Sequence, residues 1–101
     1  RSDYVTKEQR QAIYQRDGHR CQYCNKKMET GSKSLTLDHI FPRSKHPHLT
    51  SEITNLLCAC RRCNSRKKDM SVFEFLHDRL QFDFFEAITI ASDIEKGVKF
   101  C

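Results

Sequence analysis

From Leu35 to Ile40 the chain reads Leu-Thr-Leu-Asp-His-Ile, an alternation of apolar and polar positions with the period of a half-buried strand, and Pro42 ends it. The short apolar run Leu56-Leu-Cys-Ala59 predicts a returning strand. Between the two, Arg43 to Ser51 is polar and contains Pro47, which predicts a long connection. Helices are marked by their caps. Thr6 with Gln9 three residues later forms a capping box for a helix through Ala12 and Ile13 that stops at Gly18. Ser71 with Glu74 opens a second helix over Val72 to Leu80, and Asp83 with Glu86 opens another from Phe84 to about Lys96, ended by Gly97. Helical propensity from Asn64 to Lys68 adds a short helix after the second strand, and Asn25 to Ser34 reads as a loop. The predicted order through the middle of the chain is strand, loop, strand, short helix.

At 101 residues, with 38% hydrophobic residues, no Trp and a mean hydropathy of −0.71, the chain predicts one domain over residues 1–101. A core of that size has little stability in reserve, so a covalent or metal staple is expected. No run approaches the roughly 18 apolar residues of a membrane span, and no basic-then-apolar leader opens the chain. The expectation is a soluble, cytoplasmic protein with no membrane partner.

Charge sharpens this picture. The net charge is +5, but residues 39–68 hold seven basic side chains against one acidic, whereas residues 69–101 hold seven acidic against three basic. The middle segment has the density of positive charge that a polyanion-binding surface needs, which points to nucleic acid. The acidic C-terminal helices are expected to dock a protein partner or a second copy.

Six cysteines supply the staple. Cys21-x2-Cys24 and Cys60-x2-Cys63 have the gap that lets two thiolates turn toward one point, and two such knuckles give the four soft ligands of a tetrahedral structural zinc site. Two disulfides would need an oxidising compartment that nothing else in the chain announces. Cys58 lies two residues before Cys60, on the same strand face, so Cys58 with Cys63 is an alternative pair; the x2 spacing favours Cys60. Cys58 is then a small buried hydrophobe, and Cys101 a free thiol. Zinc with four protein ligands has no open position, so the chemistry must lie elsewhere.

Between the knuckles stands Leu37-Asp-His-Ile-Phe-Pro-Arg-Ser44, then Asn55-Leu-Leu, then Cys60-Arg-Arg-Cys-Asn-Ser-Arg-Lys67. In this order, with both CxxC pairs, these strings resemble the HNH endonucleases of the zinc-bound ββα-metal (His-Me finger) type, over about residues 21–68. The resemblance implies an α+β fold: a small zinc-stapled ββα-metal core, one helix before it and a helical extension of two helices over about 71–97. It implies that His39 is the general base, Asn55 the middle Asn, and Asn64 the residue in the final His position, an HNN variant in which Asp38 and Asn64 bind a catalytic divalent cation. Lys67 matches the family's Lys after Cys-Asn and is expected to bind phosphate. A prokaryotic or phage-type setting is implied as well.

The residues agree with that chemistry on their own terms. Phosphodiester hydrolysis needs a deprotonated water, counter-charge for the phosphorus centre and a stabilised leaving oxygen. An imidazole suits the first, and a cation on hard oxygen ligands such as Asp38 and Asn64 suits the others, favouring Mg²⁺ or Mn²⁺. Asn64 is equally placed to cap the helix after the second knuckle, with the same side-chain oxygen. Adjacent strand residues point to opposite faces, so Asp38 and His39 share a site only if the strand ends or twists there. Asn55 is expected to bond loop backbone and fix His39.

Arg43, Lys45, Arg61, Arg62, Arg66, Lys67 and Lys68 would neutralise DNA phosphates, contacts that position without reading bases, so little sequence preference is expected. Where many family members carry Gly-Gly after the Pro-x-Ser string, this chain has Lys45-His-Pro-His-Leu49, a longer loop whose His46 and His48 read as solvated loop residues. The competing function is a zinc-ribbon nucleic-acid-binding module without catalysis, which would have no need of Asp38, His39 and Asn64 together.

Overall fold

The computed structural model describes residues 5–100, so Cys101 lies outside the described residues. Helix α1 (Lys7–Arg16) opens on the Thr6–Gln9 capping box with both reciprocal bonds made, and the chain leaves it through Gly18 in the left-handed region at φ +66°. There a side chain would be strained, so glycine makes the turn. Strands β1 (Leu35–His39) and β2 (Leu56–Cys60) pair antiparallel, Leu35 opposite Cys60 and His39 opposite Leu56. Helix α2 (Arg61–Lys67) follows β2 without a break, giving a two-stranded α+β core of the ββα type.

A two-stranded sheet is marginal by itself and needs covering. All five residues of β2 are buried. Its outer edge is closed by the end of α1 and the first knuckle: Asp17 Oδ2 accepts the Cys58 N–H at 2.8 Å, Arg16 donates to the Leu56 carbonyl at 2.7 Å, and the Gln22 N–H donates to the Cys58 carbonyl at 3.0 Å. The end of α1 thus serves to close the strand edge.

Two boundaries differ from expectation. Helix α2 starts at Arg61, three residues before Asn64, because the Cys60 Sγ itself accepts the Cys63 N–H and serves as the cap. Asn64 is therefore inside the helix and caps nothing. Helix α3 opens on the Ser71–Glu74 capping box as one α-helical turn (Val72–Glu74) and then widens into a π-helical stretch (Phe75–Arg79), with the Leu80 N–H reaching back five residues to the Phe75 carbonyl. Phe75 and Leu76 are both completely buried. Helix α4 (Phe84–Glu95) is capped by Asp83 and ends two residues before Gly97. No helix among the described residues is long and apolar enough to cross a membrane.

Candidate functional site

The two knuckles meet. Cys21, Cys24, Cys60 and Cys63 bring their sulfurs within 4.8 Å of one another, positioned to hold a metal such as zinc. The Cys24 and Cys60 sulfurs are 3.8 Å apart, the edge length of a tetrahedron with Zn–S bonds of about 2.3 Å. Each knuckle turns a backbone N–H onto its first sulfur, Cys24 onto Cys21 at 3.5 Å and Cys63 onto Cys60 at 3.4 Å, an arrangement suited to thiolates. Cys58 is fully buried but outside this cluster, and burial pushes its thiol up to about 12, so it stays protonated and apolar.

His39 closes β1. Its Nε2 lies 2.9 Å from the Thr50 carbonyl, in the connection between the strands. That connection is clasped by Asn55, which is completely buried. The Asn55 Oδ1 accepts the Phe41 N–H at 2.8 Å, and its Nδ2 donates to the carbonyls of Phe41 (3.1 Å) and Leu49 (3.3 Å). Its backbone carbonyl accepts from Ile40 at 2.8 Å. One side chain thus ties the start of the loop to a point just before Thr50. Within the loop, His46 packs its ring on Phe41 at 5.2 Å, and the Phe41 ring meets Phe100 at 5.1 Å.

Asp38 points the other way, into the seam between β1 and α2, and is only 5% exposed. Its Oδ2 accepts from the Tyr23 hydroxyl at 2.5 Å and pairs with the Lys67 Nζ at 3.0 Å. The Lys67 Nζ also donates to the His39 carbonyl at 2.9 Å. Burial pushes the Asp38 carboxyl up, while the Lys67 charge and the Tyr23 hydroxyl pull it down. Burial and the Asp38 charge hold the Tyr23 phenol well above its ordinary value, so Tyr23 is the donor of that pair. Among the described residues no buried side-chain N or O atom lacks a hydrogen-bond partner. Both partners of Asp38 meet its Oδ2.

Asn64 lies one turn before Lys67 in the same seam. Its Nδ2 donates to Thr36 Oγ1 and to the Leu37 carbonyl, both at 3.0 Å. Asp38 and Asn64 therefore share the α2–β1 seam, whereas the His39 imidazole is held from the loop side. Carboxylate and amide oxygens are hard donors, the type that Mg²⁺ accepts.

One expected surface residue is corrected. Lys67 has no exposed surface at all, and its ammonium is spent on Asp38 and the His39 carbonyl, so it does not face a phosphate. Its position was legible from spacing: Lys67 is four residues after the ligand Cys63, hence on the same inward face of α2. Tyr23 and the Thr50 carbonyl were missed altogether, the first because it reads as ordinary knuckle filler, the second because a backbone acceptor carries no sequence signal. Arg43, Lys45, Arg61, Arg62, Arg66 and Lys68 are all exposed. On the C-terminal extension, the acidic side chains accompany exposed apolar ones, Phe84, Phe85 and Ile88.

Comparison with known proteins agrees with this geometry. The chain is 32% identical over 56 residues to the Septu protein PtuB of Bacillus thuringiensis, a match that covers 55% of this chain and 22% of that much longer protein. Residues 21–70, half of the chain and the whole stretch from the first knuckle through α2, match the family model of the HNH endonucleases. With its paired knuckles, its antiparallel strands and the helix that follows them, this chain belongs to the HNH endonuclease family.

Proposed function

We propose that this protein is a divalent-metal-dependent endonuclease that hydrolyses DNA phosphodiesters, with His39 as general base and a cation held by Asp38 and Asn64. The observation that carries the reading is the support built around His39: a strand-end imidazole bonded through Nε2 to the Thr50 carbonyl, in a loop locked by the buried Asn55. A carbonyl accepts only, so Nε2 bears a proton, and Nδ1 is the nitrogen that serves as base. A histidine with a merely structural role has no call for a second residue dedicated to the loop that orients it.

His39 takes a proton from the attacking water, and Asn55 keeps the ring in place while it does so. A cation at the Asp38–Asn64 seam, when bound, supplies counter-charge to the phosphorus centre and the leaving oxygen. The exposed Arg43, Lys45, Arg61, Arg62, Arg66 and Lys68 hold the backbone phosphates, without reading bases. Zinc at the four cysteines holds the fold.

Supercoiled plasmid incubated with zinc-loaded protein and Mg²⁺, Mn²⁺ or EDTA tests the reading. Cleavage is expected with a divalent cation and not with EDTA. His39→Ala should keep DNA binding within a few fold while cleavage falls by roughly 10² to 10⁴. Zinc-loaded wild type that binds DNA but leaves plasmid intact with every cation would instead favour the non-catalytic zinc-ribbon binding module.

A further inference from the structure

A completely buried lysine is rare, and an ion pair in a core is seldom kept for stability, since well-packed apolar residues in its place are often as good or better. Lys67 and Asp38 form such a pair at 3.0 Å, directly under the strand end that carries His39. The mechanism above uses Asp38 but gives the lysine no role. Charge counting gives it one. The seam offers a candidate cation one carboxylate and one neutral amide, and the ammonium of Lys67 already offsets that carboxylate before an ion with two positive charges arrives. Like charge beside Asp38 disfavours the ion's binding, and Tyr23 and Lys67 both engage Oδ2 of that carboxylate, which leaves Oδ1 as its donor to the ion.

We propose that Lys67 makes divalent-cation binding conditional on substrate: the Asp38–Lys67 pair holds the cation weakly in the free protein, and the DNA phosphate supplies the negative charge that retains it. The inference rests on the reading of Asp38 and Asn64 as the cation's ligands. Its consequence is reciprocal coupling, in which DNA tightens the cation by the same factor as the cation tightens DNA. Tyr23 contributes by engaging the same Oδ2 that pairs with the ammonium.

The test uses zinc-loaded protein carrying His39→Ala, so that DNA is not consumed, with Mn²⁺ binding followed by electron paramagnetic resonance and Mn²⁺ bound to DNA alone subtracted. Without DNA, Mn²⁺ should bind weakly, and duplex DNA should tighten it by about tenfold or more. Adding Lys67→Met, neutral and of similar length, should tighten DNA-free Mn²⁺ binding by about tenfold and shrink the gain on adding DNA. A lysine that served only to hold the fold would give weaker binding, not tighter. Lys67→Met that retains zinc and helical circular dichroism yet binds Mn²⁺ no better would overturn the proposal. Should that variant fail to fold, the parent decides: no gain in Mn²⁺ affinity on adding DNA overturns it equally. Asp38→Asn separates the two levels of argument. If Mn²⁺ binding persists unchanged in Asp38→Asn, the cation reading itself fails, whatever Lys67 does.

Discussion

The half of the molecule built around the four-cysteine cluster and its helical extension invert each other's inside and outside. Between the first knuckle and α2 the core encloses polar and charged groups: Asp38 is 5% exposed, and Asn55 and Lys67 have no exposure at all. Beyond it, large apolar side chains stand in solvent, Phe85 at 77% and Phe84 at 50%. The difference follows from what stabilises each half. Four thiolates on one metal contribute folding energy that does not depend on apolar area, so the first half can bury polar groups, provided each is paired. The extension has only caps and apolar contacts. Its inner side supplies Val72, Phe75, Leu76 and Ala87 to the common core, with Phe75 set edge-on to Tyr23 at 5.2 Å, while Phe84 and Phe85 on its outer side stay largely in solvent.

If that contrast is right, the largest effect comes from the metal. Cys60→Ser, or removal of zinc with a chelator, should cost on the order of 10 kcal/mol and abolish the far-ultraviolet circular dichroism of the ββα core, whereas Cys58→Ser should keep one metal per chain by elemental analysis. Release of metal by Cys58→Ser but not by Cys60→Ser would reverse the ligand assignment. Next comes the joint between the halves. Phe75→Ala should lower stability by about 3–5 kcal/mol in a denaturant titration without loss of zinc, because it empties space at the common core and touches no ligand. A Phe75 variant that lost its metal would mean that the halves do not divide the labour as described.

Asn55→Ala probes the polar interior of the first half. It removes three side-chain bonds from a buried site and should cost roughly 3 kcal/mol, with amide exchange accelerated at Phe41, whose N–H loses its acceptor. The smallest effect belongs to the exposed rings: Phe85→Gln should shift stability by no more than about 0.5 kcal/mol, and a larger loss would show that the ring is covered in solution.

Much of this was legible in the chain. The caps at Thr6 and Ser71 are local hydrogen-bond patterns within four residues, and both appear as read. So do the strands, whose period-two alternation around Asp38 is a property of the pleat, and the metal cluster, because two x2 gaps admit little but a shared ion. The start of α2 was misplaced because a thiolate cap does not look like one: Cys60 serves the metal and the helix at once.

What the sequence determined by itself, then, was each element and the chemistry available on it, since propensity, capping and ligand type are fixed by neighbours along the chain. Only the tertiary structure decided which oxygen of Asp38 is engaged, that Lys67 turns inward to it, and that His39 answers to the carbonyl of Thr50. Those pairings join residues from the first knuckle, β1, the loop and α2. No local pattern encodes them, because they form only when packing has removed water and left each buried polar group to find its partner within the protein.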